Sequence, residues 1–144
     1  AKTADLLSMV KFVREKEGLR IEILDSAGFS MFSSGTNKLS GEATSLIEKV
    51  GESLKNIPNE IAVRGHTDNL QFKSGGGNNN WSLSANRADA TRQFLNSIGV
   101  DDSRFSRIEG VADSQPVNPD NPADPRNRRI SITVLYRDGA RPER

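Results

Sequence analysis

Apolar periodicity in this chain switches repeatedly between two and 3.6, and that alternation restricts the fold more than any other feature. Leu19, Ile21 and Ile23 alternate with Arg20 and Glu22, the pattern of a strand with one buried face. Ala43, Leu46, Ile47, Val50, Leu54 and Ile57 then recur at helical spacing behind a Ser40 N-cap, until Pro58 stops them. Ile61 and Val63 return to period two. A second helix is expected from about Ser84 to Ile98, with Ala88, Thr91, Leu95 and Ile98 inward and Gly99 ending it. Phe105 and Ile108 mark a strand over 105–111, and Ile130, Ile132, Val134 and Tyr136 alternate in a last one. Between them, residues 112–126 hold four of the six prolines and predict a long extended loop. Each helix has a single apolar stripe, so it can cover only one face of a sheet. The fold class is therefore α/β (α+β), a two-layer sandwich.

At the N-terminus, Leu6, Met9, Val10 and Val13 fit a helix over 3–17 with Gly18 as its stop. That stripe can pack on its own chain or serve as a contact face for a second copy. Ala1 in place of Met reads as the start of an excised segment. The expected organisation is a lead-in over 1–18, one domain over 19–137 and a polar tail over 138–144. Twenty basic and 19 acidic residues leave a net charge of +1, which provides no electrostatic footprint for nucleic acid. No apolar run is long enough to span a bilayer. With no cysteine, disulfides and thiolate metal sites are excluded, and no cofactor motif is present.

The polar residues that stand out are Asp68, just past a strand, and Arg87, near a helix start. Asp68 is either a turn residue or a ligand-facing acid, because loops after strands often carry function. With Ser84 as N-cap, Arg87 falls at N3, where the macrodipole disfavours a cation by about 0.3–1 kcal/mol. Either an ion pair with Asp68 or Asp89 offsets that cost, or a bound carboxylate or phosphate does. An acid and a base placed to hold a small zwitterion suggest binding rather than catalysis. His66 is the only histidine, too little for a zinc site, and neither Ser82 nor Ser84 lies in a nucleophile elbow. A structural histidine, hydrogen-bonded within its loop, is the expected role. Gly75-Gly76-Gly77 lacks the Gly-Lys-Ser/Thr ending of a phosphate loop. Arg128 and Arg129 open the last strand with side chains on opposite faces, so at most one can reach a given site.

Gly65-His66-Thr67-Asp68, then Asn80-x-x-Leu83-Ser84-x-x-Arg87-Ala88, then Asn127-Arg128-Arg129 resemble, in order, the blocks of the OmpA-like peptidoglycan-binding domain. The resemblance implies a βαβαββ mixed sheet covered by helices, here with an extra N-terminal helix. It implies noncovalent binding of peptidoglycan through the diaminopimelate of its stem peptide, with no catalysis. Asp68 and Arg87 match the family's binding pair, and Thr67, Asn69, Asn80, Leu83, Arg128 and Arg129 match positions around it. Leu19–Asp25, Met31-Phe32, Gly35, the long loop before Asn80 and Trp81 resemble the stator-subunit branch of the family. That branch implies a periplasmic domain anchored in the inner membrane, a homodimer and a MotA-type stator subunit as partner. The alternative reading is an outer-membrane or secretion-system wall tether. A muropeptide hydrolase using His66 and Asp68 lacks both metal ligands and an activated nucleophile. Two departures stand near the site: Asp124-Pro125-Arg126 where the family often has Gly-Arg-Ala, and a longer loop over 69–79.

Overall fold

The computed structural model describes residues 9–26, 29–33, 36–69 and 79–136. The five-stranded sheet has the order β1-β2-β5-β3-β4. Its strands are β1 (Val10–Arg14), β2 (Gly18–Leu24), β3 (Ile61–His66), β4 (Phe105–Gly110) and β5 (Arg129–Leu135). Only β3 and β4 pair in parallel; the other ladders are antiparallel. Registered pairs such as Ile21↔Ile132, Ile23↔Ile130 and Val63↔Ile132 line one face with branched apolar side chains. Helices α1 (Gly41–Leu54) and α2 (Asn80–Ser97) bury Ala43, Leu46, Ile47, Leu54, Ala88 and Leu95 in the same core. Phe29, Met31 and Phe32, from the irregular segment after β2, complete it.

The expected N-terminal helix is not formed where the chain is described. Val10–Arg14 is a strand in a hairpin with β2, from Val10↔Ile23 to Arg14↔Leu19. Met9, Val10 and Val13 suit a helical stripe, but Val-Lys-Phe-Val-Arg is rich in β-branched and aromatic residues. The edge of β2 also offers a row of backbone N–H and C=O groups that a neighbouring strand satisfies. Gly18 is no helix stop either. A Cβ there would lie 2.1 Å from the Val134 carbonyl oxygen, so glycine lets β2 approach β5. Met9 and Val10 pack on the chain's own core, while Phe12 is 67% exposed. A helical dimer face built on this stripe is thereby ruled out, and its Leu6 lies outside the described residues.

Ser40 caps α1 as expected, its Oγ accepting from the Ala43 amide at 3.1 Å. The helix ends at Leu54 rather than at Ile57, which is exposed. On the other sheet face the alternation does not simply meet water. Glu22 is buried between Arg129 Nε at 3.1 Å and Arg20 Nε at 2.8 Å, and Arg64 pairs with Glu109 at 2.8 Å. The loop over 112–124 lies against this face, since Arg129 Nη2 donates to the Gln115 carbonyl at 2.7 Å.

Gly65 sets how closely α2 lies on β3. A Cβ there would come within 2.2 Å of the Ser84 carbonyl oxygen, a backbone atom that cannot swing aside. We expect Gly65→Ala to cost about 1–3 kcal/mol through forced displacement of α2. Urea unfolding checks this, and an unchanged midpoint would contradict the packing argument.

Candidate functional site

Antiparallel pairing brings the functional candidates to one end of the sheet. Leu24 and His66, the last residues of β2 and β3, both register with Arg129, the first residue of β5. Asp25 and Asp68 therefore emerge beside Arg128. Arg128 Nε donates to Asp25 Oδ2 at 3.0 Å, and Nη1 donates to Asp68 Oδ2 at 2.5 Å. Asp25 Oδ1 also accepts the Met31 amide at 2.9 Å. Both acids are about 95% buried, with relative exposures of 5% each.

Arg87 comes from α2, but not from its first turn. The N-cap is Asn79, whose side chain accepts from the Ser82 amide at 2.9 Å. Ser84 is fully buried inside the helix; its Oγ donates to the Trp81 carbonyl and accepts the Ala112 amide, both at 3.0 Å. Arg87 thus lies two turns in, and the expected macrodipole penalty does not apply, because that field fades within the first turn. Burial strains the cation instead. Arg87 is 7% exposed, with Nε on the Thr36 carbonyl at 2.7 Å and its guanidinium 4.8 Å from the Phe32 ring centroid.

Neither ion pair expected for Arg87 forms. Asp68 is held by Arg128, and Asp89 by Arg92 at 2.7 Å. Among the described residues no carboxylate lies within ion-pair distance of Arg87. Burial pushes its pKa down; the fields of Asp25 and Asp68 oppose this and Arg128 adds to it. The guanidinium stays charged all the same. Burial likewise pushes the Asp25 carboxyl up, against the pull of the Met31 amide and Arg128. For Arg128, burial is outweighed by its two carboxylates, which hold its pKa up.

A cleft of about 190 Å³, counting its open mouth, is lined by Asp25, Met31, Phe32, His66, Arg87, Arg128 and Arg129. The enclosed part of that space is about 10 Å³, enough for on the order of one water, and the rest is open mouth.

The other expected site residues divide. Thr67 is buried and its Oγ1 donates to the Asp68 carbonyl at 2.9 Å, shaping the turn. Asn80 Nδ2 reaches the same carbonyl at 3.4 Å. Leu83 is buried on α2, and Asn69 is exposed with its amide on the Pro122 carbonyl at 3.1 Å. Arg129 lines the cleft as well, but its guanidinium is committed to Glu22 and to the Asn127 and Gln115 carbonyls. Of the two adjacent arginines, Arg128 meets both strand-end acids, yet both line the cleft, so the expectation that at most one would reach it does not hold. Asp25 is the addition that the sequence reading missed. Its position just past β2 repeats that of Asp68 past β3, which was the available signal. Trp81, in the first turn of α2, is 57% exposed. The Gly75–Gly77 run lies outside the described residues, as do most of the long loop and the tail beyond 137.

His66 is 3% exposed, and its Nε2 lies 3.1 Å from Ser131 Oγ on β5 rather than bonding within its loop. Burial, then the nearby Arg129, Arg64 and Arg20, lower its pKa to about 3. A depressed histidine pKa means that the unfolded chain takes the proton first, so stability is lost as pH falls from about 6.5 toward 3. We expect His66 to remove about 2 kcal/mol of stability between pH 7 and pH 5. Urea unfolding of wild type and His66→Asn at both values tests this: the variant should lack that part of the acid sensitivity.

Residues 31–129 match the OmpA family, and the chain belongs to that family. It is similar to motility protein B of Escherichia coli K12, 39% identical over 121 residues covering 83% of this chain and 39% of that protein. It is also 32% identical to motility protein B of Bacillus subtilis over 127 residues, 86% of this chain and 48% of that protein. The chain thus spans less than half the length of these two relatives. Among solved structures, the cell wall anchor of the type VI secretion system from Pseudomonas aeruginosa aligns with a TM-score of 0.74 at 25% identity. That alignment covers 94% of this chain and 98% of the other. A periplasmic domain of Helicobacter pylori MotB shares the fold, with a TM-score of 0.78 at 20% identity over 94% and 84% of the two chains. The α+β architecture is that of the MotB periplasmic domains, with β1 in place of the expected first helix.

Proposed function

We propose that this domain binds peptidoglycan noncovalently and without cleaving it, by taking the zwitterionic end of a diaminopimelate residue into the cleft beside Arg87. The observation that carries this reading is Arg87 itself: a buried cation with no carboxylate partner among the described residues, beside two acids already held by Arg128. A buried charge is disfavoured unless it is paired, and a ligand carboxylate supplies the missing partner in a bidentate geometry that suits guanidinium. The ligand's ammonium then sits toward Asp68 and Asp25. Thr67, Asn69, Asn80 and Leu83 frame the Asp68 side, Arg128 holds both acids in place, and Arg129 braces the sheet behind.

In the cell, the domain would anchor a flagellar stator to the wall from the periplasm. Its partners would be a second copy of the chain and, through a membrane segment, a MotA-type subunit. Similarity to motility protein B over most of this chain supports that role. A second reading, a secretion-system wall tether, is favoured by the near-complete coverage of the type VI anchor. Both need the same wall ligand. Co-sedimentation with purified sacculi tests the shared step: the domain should pellet with them and be released by excess soluble diaminopimelate muropeptide. Failure to pellet would remove both readings. Copurification with a MotA-type subunit from membranes separates the stator from the tether.

A further inference from the structure

Resting on the reading above, we infer that His66 is a further ligand-contacting residue of the cleft, its Nδ1 accepting a hydrogen bond from the ammonium of the bound amino-acid head. The tautomer follows from a chain of donors. Glu22 is acceptor-only and is held by Arg129 and Arg20. Ser131 Oγ donates its one hydrogen to Glu22 Oε2 at 2.8 Å. The 3.1 Å contact between Ser131 Oγ and His66 Nε2 must then have Nε2–H as its donor. Neutral imidazole carries one hydrogen, so Nδ1 is left as a bare acceptor.

Nδ1 is buried and has no hydrogen-bond partner among the described residues. His66 as a whole is 3% exposed and lines the cleft together with Asp25, Arg87 and Arg128. A buried acceptor without a donor costs stability, so such a group in a residue that lines the cleft needs an account. The cleft already offers donors in Arg87 and Arg128, which suit a carboxylate. Acceptors are what an ammonium needs: it has three N–H groups, and a carboxylate beside it satisfies only part of them. A neutral Nδ1 adds an acceptor without adding charge. Its availability does not change across the physiological range, because burial, reinforced by Arg129, Arg64 and Arg20, keeps the imidazole unprotonated.

Two substitutions separate this role from the structural one. His66→Gln places a donor near Nε2 and keeps Ser131 satisfied but has no acceptor at the Nδ1 position. His66→Asn keeps an acceptor at the Nδ1 position and gives up the Ser131 contact. Isothermal titration with a soluble muropeptide carrying free diaminopimelate should show at least about tenfold weaker binding for Gln and a loss within about threefold for Asn. Nitrogen-15 NMR of the wild-type imidazole should report the Nε2–H tautomer, with the Nδ1 resonance moving when the muropeptide is added. This second readout needs no variant to fold. Equal weakening of both variants, wild-type affinity of the Gln variant, or an unmoved Nδ1 resonance would each overturn the inference. If wild type binds, Arg87→Ala does not, and both His66 variants bind normally, only the His66 role falls. If wild type itself does not bind the muropeptide, the peptidoglycan reading falls and takes this inference with it.

Discussion

Arg87→Ala is expected to abolish co-sedimentation with peptidoglycan while leaving the fold almost as stable as wild type. Truncating one side of a buried charge pair costs binding about 2–5 kcal/mol, a loss of roughly 30-fold to a few thousandfold in affinity. The free domain has much less to lose. Arg87 gives up one hydrogen bond to the Thr36 carbonyl and its contact with Phe32. Removing a buried cation that has no carboxylate partner among the described residues offsets part of that loss. Titration with soluble muropeptide and thermal unfolding, run side by side, test both halves. Arg87→Lys sharpens the result: it restores the charge but not the planar fork, so binding should recover only in part. Wild-type affinity in the alanine variant would remove Arg87 from the site.

Arg128→Ala should do the reverse and damage the fold first. Asp25 and Asp68, each 5% exposed, both accept hydrogen bonds from Arg128. Removing it leaves two buried carboxylates short of a partner, at a cost of about 3–5 kcal/mol when a pair is fully buried. The Arg128 side chain is itself 27% exposed, so the lower end of that range is expected. The loss should depend on pH with a definite sign. Burial already holds the Asp25 carboxyl above its usual range, and without Arg128 it rises further. A carboxyl raised in the folded state binds its proton there first, so acidification restores stability and the deficit is greatest above the raised pKa. Urea unfolding at pH 7 and pH 5 should show the gap between variant and wild type narrowing at the lower value. A gap that widens would mean that Asp25 is not the group left stranded.

Much of the architecture was legible because it depends on short-range patterns. Strands β2, β3 and β5 and both helices follow from period-two and period-3.6 runs, β4 was marked by Phe105 and Ile108 alone, and Ser40 works as the cap its side chain suggests. Two failures have the same cause. Val10–Arg14 carries spacing that either a helix or an edge strand can satisfy, and the open edge of β2 decides for the strand. Asn79 and Ser84 are both good caps, and local chemistry does not rank them. Ser84 is drawn inside the helix because its hydroxyl is needed by the Ala112 amide, a partner 28 residues away.

By itself, the sequence determined the two-layer fold, the family blocks and the identity of Arg87 and Asp68 as the pair to examine. Their relationship was decided only by tertiary structure. The register of β2 and β3 against β5 delivers Arg128 between two acids, so Asp68 pairs with Arg128 and Asp25 joins the site. Arg87 is left buried beside them, with no carboxylate partner among the described residues. Residue order carries no information about which of several arginines reaches a given carboxylate, because that depends on strand register, and register is a property of the assembled sheet.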